Sequence, residues 1–202
     1  MGNVCIIYHG SSPMLPLLVL FAATALPDLR IEATDGGSAL VVRNTHPSQA
    51  LTAYLIELVD YPGSSYAFSQ DELAQGIEPL GAGKQRRIPI LNMTVGAVPD
   101  YMKMRAAIFA DGSTAGDEDK VAQLRARRKM LLATTREIIA RAGDLKPLLD
   151  SIPVSNSKLK RSAPEVVDQA SRRALIAEAL SMASPDAVVA TFRLREGALS
   201  KP

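Results

Sequence analysis

The chain has 202 residues, 47% hydrophobic and 22% charged, which excludes a disordered polypeptide and allows one ordinary core or two small ones. Trp is absent and aromatics are 4%, so the core must be aliphatic and a groove built on stacked aromatic rings is not expected. The net charge of +2 hides a split: residues 1–118 hold 7 Lys/Arg against 12 Asp/Glu, and residues 119–202 hold 16 against 9. An acidic front half thus precedes a basic back half, the mark of two distinct structural units.

The first segment reads as an address. The apolar run Met14–Pro27 is shorter than the ~20 residues a membrane-spanning helix needs, and Ala23-Thr24-Ala25 is a small-x-small cleavage pattern. This predicts a signal peptide over residues 1–25, cleaved after Ala25, and a periplasmic or extracellular protein. The departure is that residues 1–13 contain no Lys or Arg, a gap that a translation start at Met14 would explain. Cleavage after Ala25 removes Cys5, the only cysteine, and with it any disulfide, thiolate metal site or cysteine nucleophile.

Beyond the leader the pattern has period two. It predicts a Gly36-Gly37 turn, a strand over 39–44, a turn over 45–49 and a strand over 51–58. In the second strand Leu51, Ala53 and Leu55 alternate with Thr52, Tyr54 and Ile56, and two apolar faces place it centrally in a sheet. YPGSS at 61–65 is a Pro-Gly turn. Gly81 and Gly83 relieve a bend before a strand that ends near Pro89, which lacks an amide proton and belongs at an edge. The last strand, 102–110, sets Met102, Met104, Ala106 and Ile108 on one face. The expected fold is α+β: an antiparallel β-sandwich over 28–112, then a helical region over 117–183 and a tail over 184–202.

VVRNTHPSQALTAY is similar to the second and third strands of bacterial immunoglobulin-like modules of the fibronectin type III or cell-adhesion-related kind. IEPLGAG resembles their step into the next strand, and RAAIFADG resembles their last strand ending in Asp-Gly. The resemblance covers residues 29–112; Thr45 and Ala82 depart from the Gly and Pro usual there. It implies an immunoglobulin-like sandwich with a structural or adhesive role and no catalytic residues to carry over.

From Asp117 the period changes to that of a helix. Val121, Leu124, Leu131, Ile138, Ala142, Leu145, Leu149 and Ile152 form an apolar stripe, with Arg128 and Thr135 at its skipped positions. This predicts six to seven turns, broken near Gly143 and Pro147. Interruption by Arg128 and Thr135 favours packing within the chain over an oligomer interface. Ser162-Ala163-Pro164-Glu165 has capping-box spacing and predicts a second helix to about Met182, with Val167, Ala170, Ala174, Ala177 and Leu180 as an apolar stripe on one side. Residues 153–163 read as a polar linker. DAVVATFRLRE after Pro185 fits a short strand or a helix, and the final GALSKP reads as frayed.

Each candidate for chemistry has a simpler structural explanation. Asp111, Asp117, Glu118 and Asp119 fail the EF-hand spacing; they read as a turn followed by acids at a helix N-terminus. Ser113 to Gly116 read as small connecting residues between them. His46, which with Ser48 or Ser113 would have to form any Ser-His-Asp hydrolase, precedes Pro47 in a turn, and no G-x-S-x-G elbow is present. LGAGKQRR lacks phosphate-loop spacing, and no cofactor or metal is expected. The basic run around RARRK leaves Arg125, Arg128, Lys129 and Arg136 as a candidate anion-binding face for lipid headgroups or nucleic acid, although an exported protein rarely meets DNA. Arg128, on the apolar stripe, is expected to snorkel or to pair with a carboxylate. Asn92-Met93-Thr94 matches a glycosylation acceptor. The expectation is a non-enzymatic structural or protein-interaction module of the bacterial envelope.

Overall fold

The computed structural model describes residues 24–34, 37–60, 64–90, 101–154 and 163–201. Residues 1–23 of the expected leader, Asn92-Met93-Thr94 and most of the 153–163 linker lie outside them. Seven strands come first: β1 Asp28–Thr34, β2 Gly37–Arg43, β3 Leu51–Asp60, β4 Ser64–Asp71, β5 Gln85–Ile90, β6 Tyr101–Phe109 and β7 Thr114–Gly116. Four helices follow: α1 Glu118–Ala140, α2 Lys146–Ser151, α3 Pro164–Leu180 and α4 Pro185–Leu199.

The strands form two antiparallel sheets, one ordered β1-β2-β5 and the other β4-β3-β6-β7. Leu40 and Val42 of the first share a core with Leu51, Tyr54, Ile56, Met104, Ala107 and Phe109 of the second. The second sheet is covered on its other face by α1, where Ala53, Leu55, Ala106 and Ile108 meet Val121 and Leu124. Beyond it the helices enclose their own core, centred on the fully buried Ile138, Ile176 and Phe192. The order of layers is therefore sheet, sheet, helices.

β3 is central, as its two apolar faces predict, and β5 is an edge strand that contains Pro89. The expected face of β6 requires correction. Leu55 pairs with Ala106 but Ile56 pairs with Met104, so Arg105 is an extra residue in the ladder. The bulge flips the alternation. Met102 and Met104 face the sheet–sheet core, whereas Ala106 and Ile108 face α1. A second shift at Thr52 does the same to β3, placing Leu51 between the sheets while Ala53 and Leu55 face the helix. Both extra residues are polar and both reach toward other elements.

Ser64 and Ser65, assigned to a turn by the Pro-Gly pattern, begin β4, and Gly37 begins β2. Ser113 to Gly116, expected only to connect, contain β7. Gly116 has φ of +101°, and a Cβ there would run into the Arg105 carbonyl, so only glycine lets β7 lie against the bulge.

α1 begins where the sequence places it. Its buried side is Val121, Leu124, Arg128, Leu131, Thr134, Thr135 and Ile138, and it packs on β3, β6 and β7. In α3 the expected apolar stripe is not the side that is buried. Val166, Leu175, Ile176 and Ala179 are buried, while Ala170, Ala174, Ala177 and Leu180 are exposed. An alanine-rich helix offers two similar stripes, and α1 and α2 select the one with the larger side chains. The N-cap of α3 is Ala163, with no side-chain cap, rather than a capping-box serine. The tail is helical to Leu199. Ser184 caps it by accepting from the Ala187 amide, and Phe192 and Leu199 are buried, so the helix is packed as far as Leu199, while Ser200 and Lys201 beyond it are exposed.

Candidate functional site

The six residues Asp71-Glu72-Leu73-Ala74-Gln75-Gly76 connect nearly every layer. Asp71 caps its own turn by accepting from the Ala74 amide at 3.2 Å, and its other oxygen accepts from Arg128 Nε of α1 at 2.8 Å. Arg128 also donates to Thr52 Oγ1 at 2.9 Å, so the β3 bulge supplies the second partner of a buried guanidinium. Glu72 is fully buried and ion-paired with Arg86 of β5. Burial raises its carboxyl, against the pull of Arg86, and burial likewise pushes up the phenol of Tyr54 beside it. Ala74 enters the helical core. Gly76, at φ +65°, lets Arg195 of α4 approach, since a Cβ there would lie 3.1 Å from Arg195 Nη2. Arg195 grips Glu178 of α3 with two hydrogen bonds of 2.9 and 2.7 Å and lies 4.6 Å over the Phe192 ring.

Beside this seam is a cleft of about 260 Å³ walled by β4, the turn, α1 and α3. Arg127 stands at its back. It donates to Ser69 Oγ of β4 through Nη1 and to Ser171 Oγ of α3 through Nη2. Ser171 in turn donates to the Val167 carbonyl at 2.8 Å. A second cleft of about 170 Å³, on the other side of Ser69 and Arg127, holds Asp168, whose carboxylate is 3.9 Å from Arg127 Nε. Burial holds the Arg127 guanidinium below its ordinary range and lifts Asp168 above its own. The neutral oxygens that hold Arg127 contrast with the close carboxylates of Arg86, Arg105, Arg128 and Arg195.

The four-residue anion face is not one face. Arg128 is 7% exposed and belongs to the seam, so it is removed from that set; it pairs with a carboxylate, as its place on the stripe suggests. Arg136 is exposed and bonded to Glu196 of α4 at 2.9 Å. Arg125 and Lys129 are exposed, and with Lys201 they rim a shallow groove of about 360 Å³ floored by Ile108, Leu132 and Leu199.

The acids of the 111–119 stretch are dispersed. Asp111 accepts from the Ser113 amide at 3.0 Å and hydroxyl at 2.6 Å, and that hydroxyl above all holds its carboxyl below the usual range. Asp117 turns away from the helix it precedes to bond Arg105, which also bonds Glu57 at 2.5 Å. Asp119 lies beside Lys120. His46 Nδ1 accepts from the amides of Ser48 and Gln49 at 3.2 and 2.9 Å, and its ring packs 4.7 Å from that of Phe109. The imidazole thus closes the turn, with the buried Asn44 bridging it to the Leu80 and Gln49 carbonyls.

Sequence reading misses the 71–76 turn, Arg127, Ser69, Ser171 and the Arg195–Glu178 pair. The signal for Arg127 is present but faint: it precedes a stripe position by one residue, where a side chain borders the buried face. No protein family, curated protein or solved structure matches this chain.

Proposed function

We propose that this chain is a non-enzymatic structural or protein-interaction module, exported to the bacterial cell envelope, whose two sheets form an immunoglobulin-like sandwich braced by a helical layer. The observation that carries this reading is the use made of the ionisable groups. Asp71 and Glu72 are committed to arginines that join the second sheet to α1 and to the first sheet, and Glu178 to the arginine that joins α3 to α4. The His46 nitrogen nearest its own turn is committed to backbone amides. Such groups hold a shape rather than move protons. The leader pattern supports export, and a cut after Ala25 would spare Leu26, which packs against the sheet–sheet core and accepts from Thr45 Oγ1 at 3.0 Å.

Fractionating cells that produce the full chain and sequencing its N-terminus tests the reading. A chain that starts at Leu26 outside the cytoplasm is expected; a full-length cytoplasmic protein would overturn export. Turnover on an ester or peptide panel that is lost in His46→Ala would overturn the non-enzymatic assignment.

A second reading is favoured by the groove at Arg125, Lys129 and Lys201, cations that enter no ion pair among the described residues. On this reading the groove meets anionic lipid headgroups. Binding to phosphatidylglycerol vesicles that weakens with salt, and is lost in Arg125→Gln/Lys129→Gln, supports it; equal binding to phosphatidylcholine vesicles refutes it.

A further inference from the structure

We propose that the cleft between β4, α1 and α3 is a binding site for a small organic acid, its carboxylate on Arg127 and its apolar body against Ala74, Leu131, Ala174 and Leu175. The first support is the imbalance of partners. A guanidinium has five N–H donors, and among the described residues Arg127 uses two, both on neutral hydroxyls. Its nearest carboxylate among the described residues, Asp168, is too far at 3.9 Å for a hydrogen bond and lies in the other cleft. A guanidinium with a side chain only 16% exposed ordinarily has a carboxylate in bonding contact. Arg128, its neighbour in sequence, has one at 2.8 Å.

The second support is the lining. Two further carboxylates border the cleft, Asp71 and Glu178, and each is already bonded to its own arginine, Arg128 and Arg195. Neither makes a hydrogen bond to Arg127 among the described residues, and Asp168 faces it from the other cleft, so the guanidinium keeps N–H donors that no carboxylate accepts from. The remaining walls are Ala74, Leu131, Ala174 and Leu175, with Ser69, Ser171 and Gln75 at the polar end. One cation, polar groups beside it and an aliphatic wall fit a carboxylate that carries a short hydrocarbon body. A fully hydrated inorganic anion would leave that wall without a partner.

The third support is how the cation is held. Ser69 of β4 and Ser171 of α3 grip the guanidinium from two different elements, so it is oriented before a ligand arrives. Ser171 is itself fixed by its bond to the Val167 carbonyl.

The test is titration of the full chain with hexanoate, followed by heteronuclear NMR and by thermal shift. Hexanamide serves as the uncharged counterpart, and a short peptide with a free C-terminus as the competing source of a carboxylate. Hexanoate is expected to perturb residues of β4, α1 and α3 around the cleft and to bind at least ~10-fold more tightly than hexanamide, the range of a charge-assisted hydrogen bond. Arg127→Met should abolish that preference. Arg127→Lys, which keeps the charge but not the fork, should weaken hexanoate binding without unfolding the chain, and Arg125→Gln should leave it unchanged. Equal affinity for acid and amide, undiminished hexanoate binding in Arg127→Met, or no perturbation by hexanoate of the folded chain would each overturn the proposal. A clear preference for the peptide would overturn the small acid in favour of capture of a chain terminus.

Discussion

Arg127 and Arg128 are consecutive residues of one helix, yet the regions they serve are opposite in character. Arg128 lies in the seam of the 71–76 turn, where a buried carboxylate and a bulged threonine answer it within 2.9 Å. Arg127 lies at the back of a cleft, answered by two serines. The turn through one residue of a helix, about 100°, moves the side chain from the sheet to the gap between sheet and α3. The difference teaches that burial of an arginine does not by itself mean cross-linking. The identity of the partner separates a group that closes the structure from one left able to take another charge.

The largest effect should come from breaking the seam. Arg128→Leu leaves Asp71 buried and unpaired and is expected to cost about 3–5 kcal/mol in urea denaturation. The double variant Arg128→Leu/Asp71→Leu should recover most of that loss, because the cost of a broken buried pair is largely the stranded charge. Arg127→Leu strands two hydroxyls and removes the cation nearest the part-exposed Asp168, and should cost about 1–2 kcal/mol. Equal losses for the two single variants would erase the distinction between the regions.

Gly116→Ala comes next. It tests the β7 edge, where the positive φ and the Arg105 carbonyl exclude a Cβ. It should cost about 1–3 kcal/mol and loosen the Arg105 contacts with Glu57 and Asp117, visible as faster amide exchange across β6 and β7.

The pH dependence separates the seam from the ion pair between α1 and α4. Glu72 has its folded carboxyl raised by burial, so its contribution to stability is fully present below the unfolded pKa and fades as pH rises through the folded one. Glu196 is the opposite case: Arg136 and then Arg193 hold it low, so its contribution is present above the unfolded pKa and is lost as pH falls through the folded one. Denaturation from pH 3 to 8 should therefore show Glu72→Gln improving relative to the parent chain as pH rises. Glu196→Gln should fall behind the parent over the same rise. A single common slope would contradict the assignment of one carboxylate to burial and the other to bonding by two arginines.

Much of this architecture is legible in the sequence because it rests on local periodicity. The stripe from Val121 to Ile138 announces α1, and Pro89 announces an edge. What is not legible depends on long-range pairing. The bulges at Thr52 and Arg105 leave no mark on alternation, yet they decide which face Leu51 and Met104 occupy. The stripe of α3 is ambiguous because alanines populate both sides, and only contact with α1 and α2 settles it. β4 carries Ser at 64, 65 and 69, too polar a pattern to read as a strand, since its partner β3 supplies the ladder. The candidate site is assembled from Ser69, Arg127 and Ser171, residues 58 and 44 positions apart, and no spacing rule brings such residues together.

The smallest effect belongs to the open face of α1. Arg125→Gln and Lys129→Gln remove charges that lie in solvent beside the groove of Lys201 and enter no ion pair among the described residues. Each should change stability by less than ~0.5 kcal/mol, because an exposed cation gives up little on folding and gains little. Their neutrality in denaturation is what makes them useful. Any change they cause in vesicle binding can then be assigned to the surface and not to the fold, and any change in carboxylate binding would show that the Arg127 cleft feels the charge of the outer face. A destabilisation above 1–2 kcal/mol from either substitution would place these cations in the same structural role as Arg128, and the contrast between the two sides of α1 would fail.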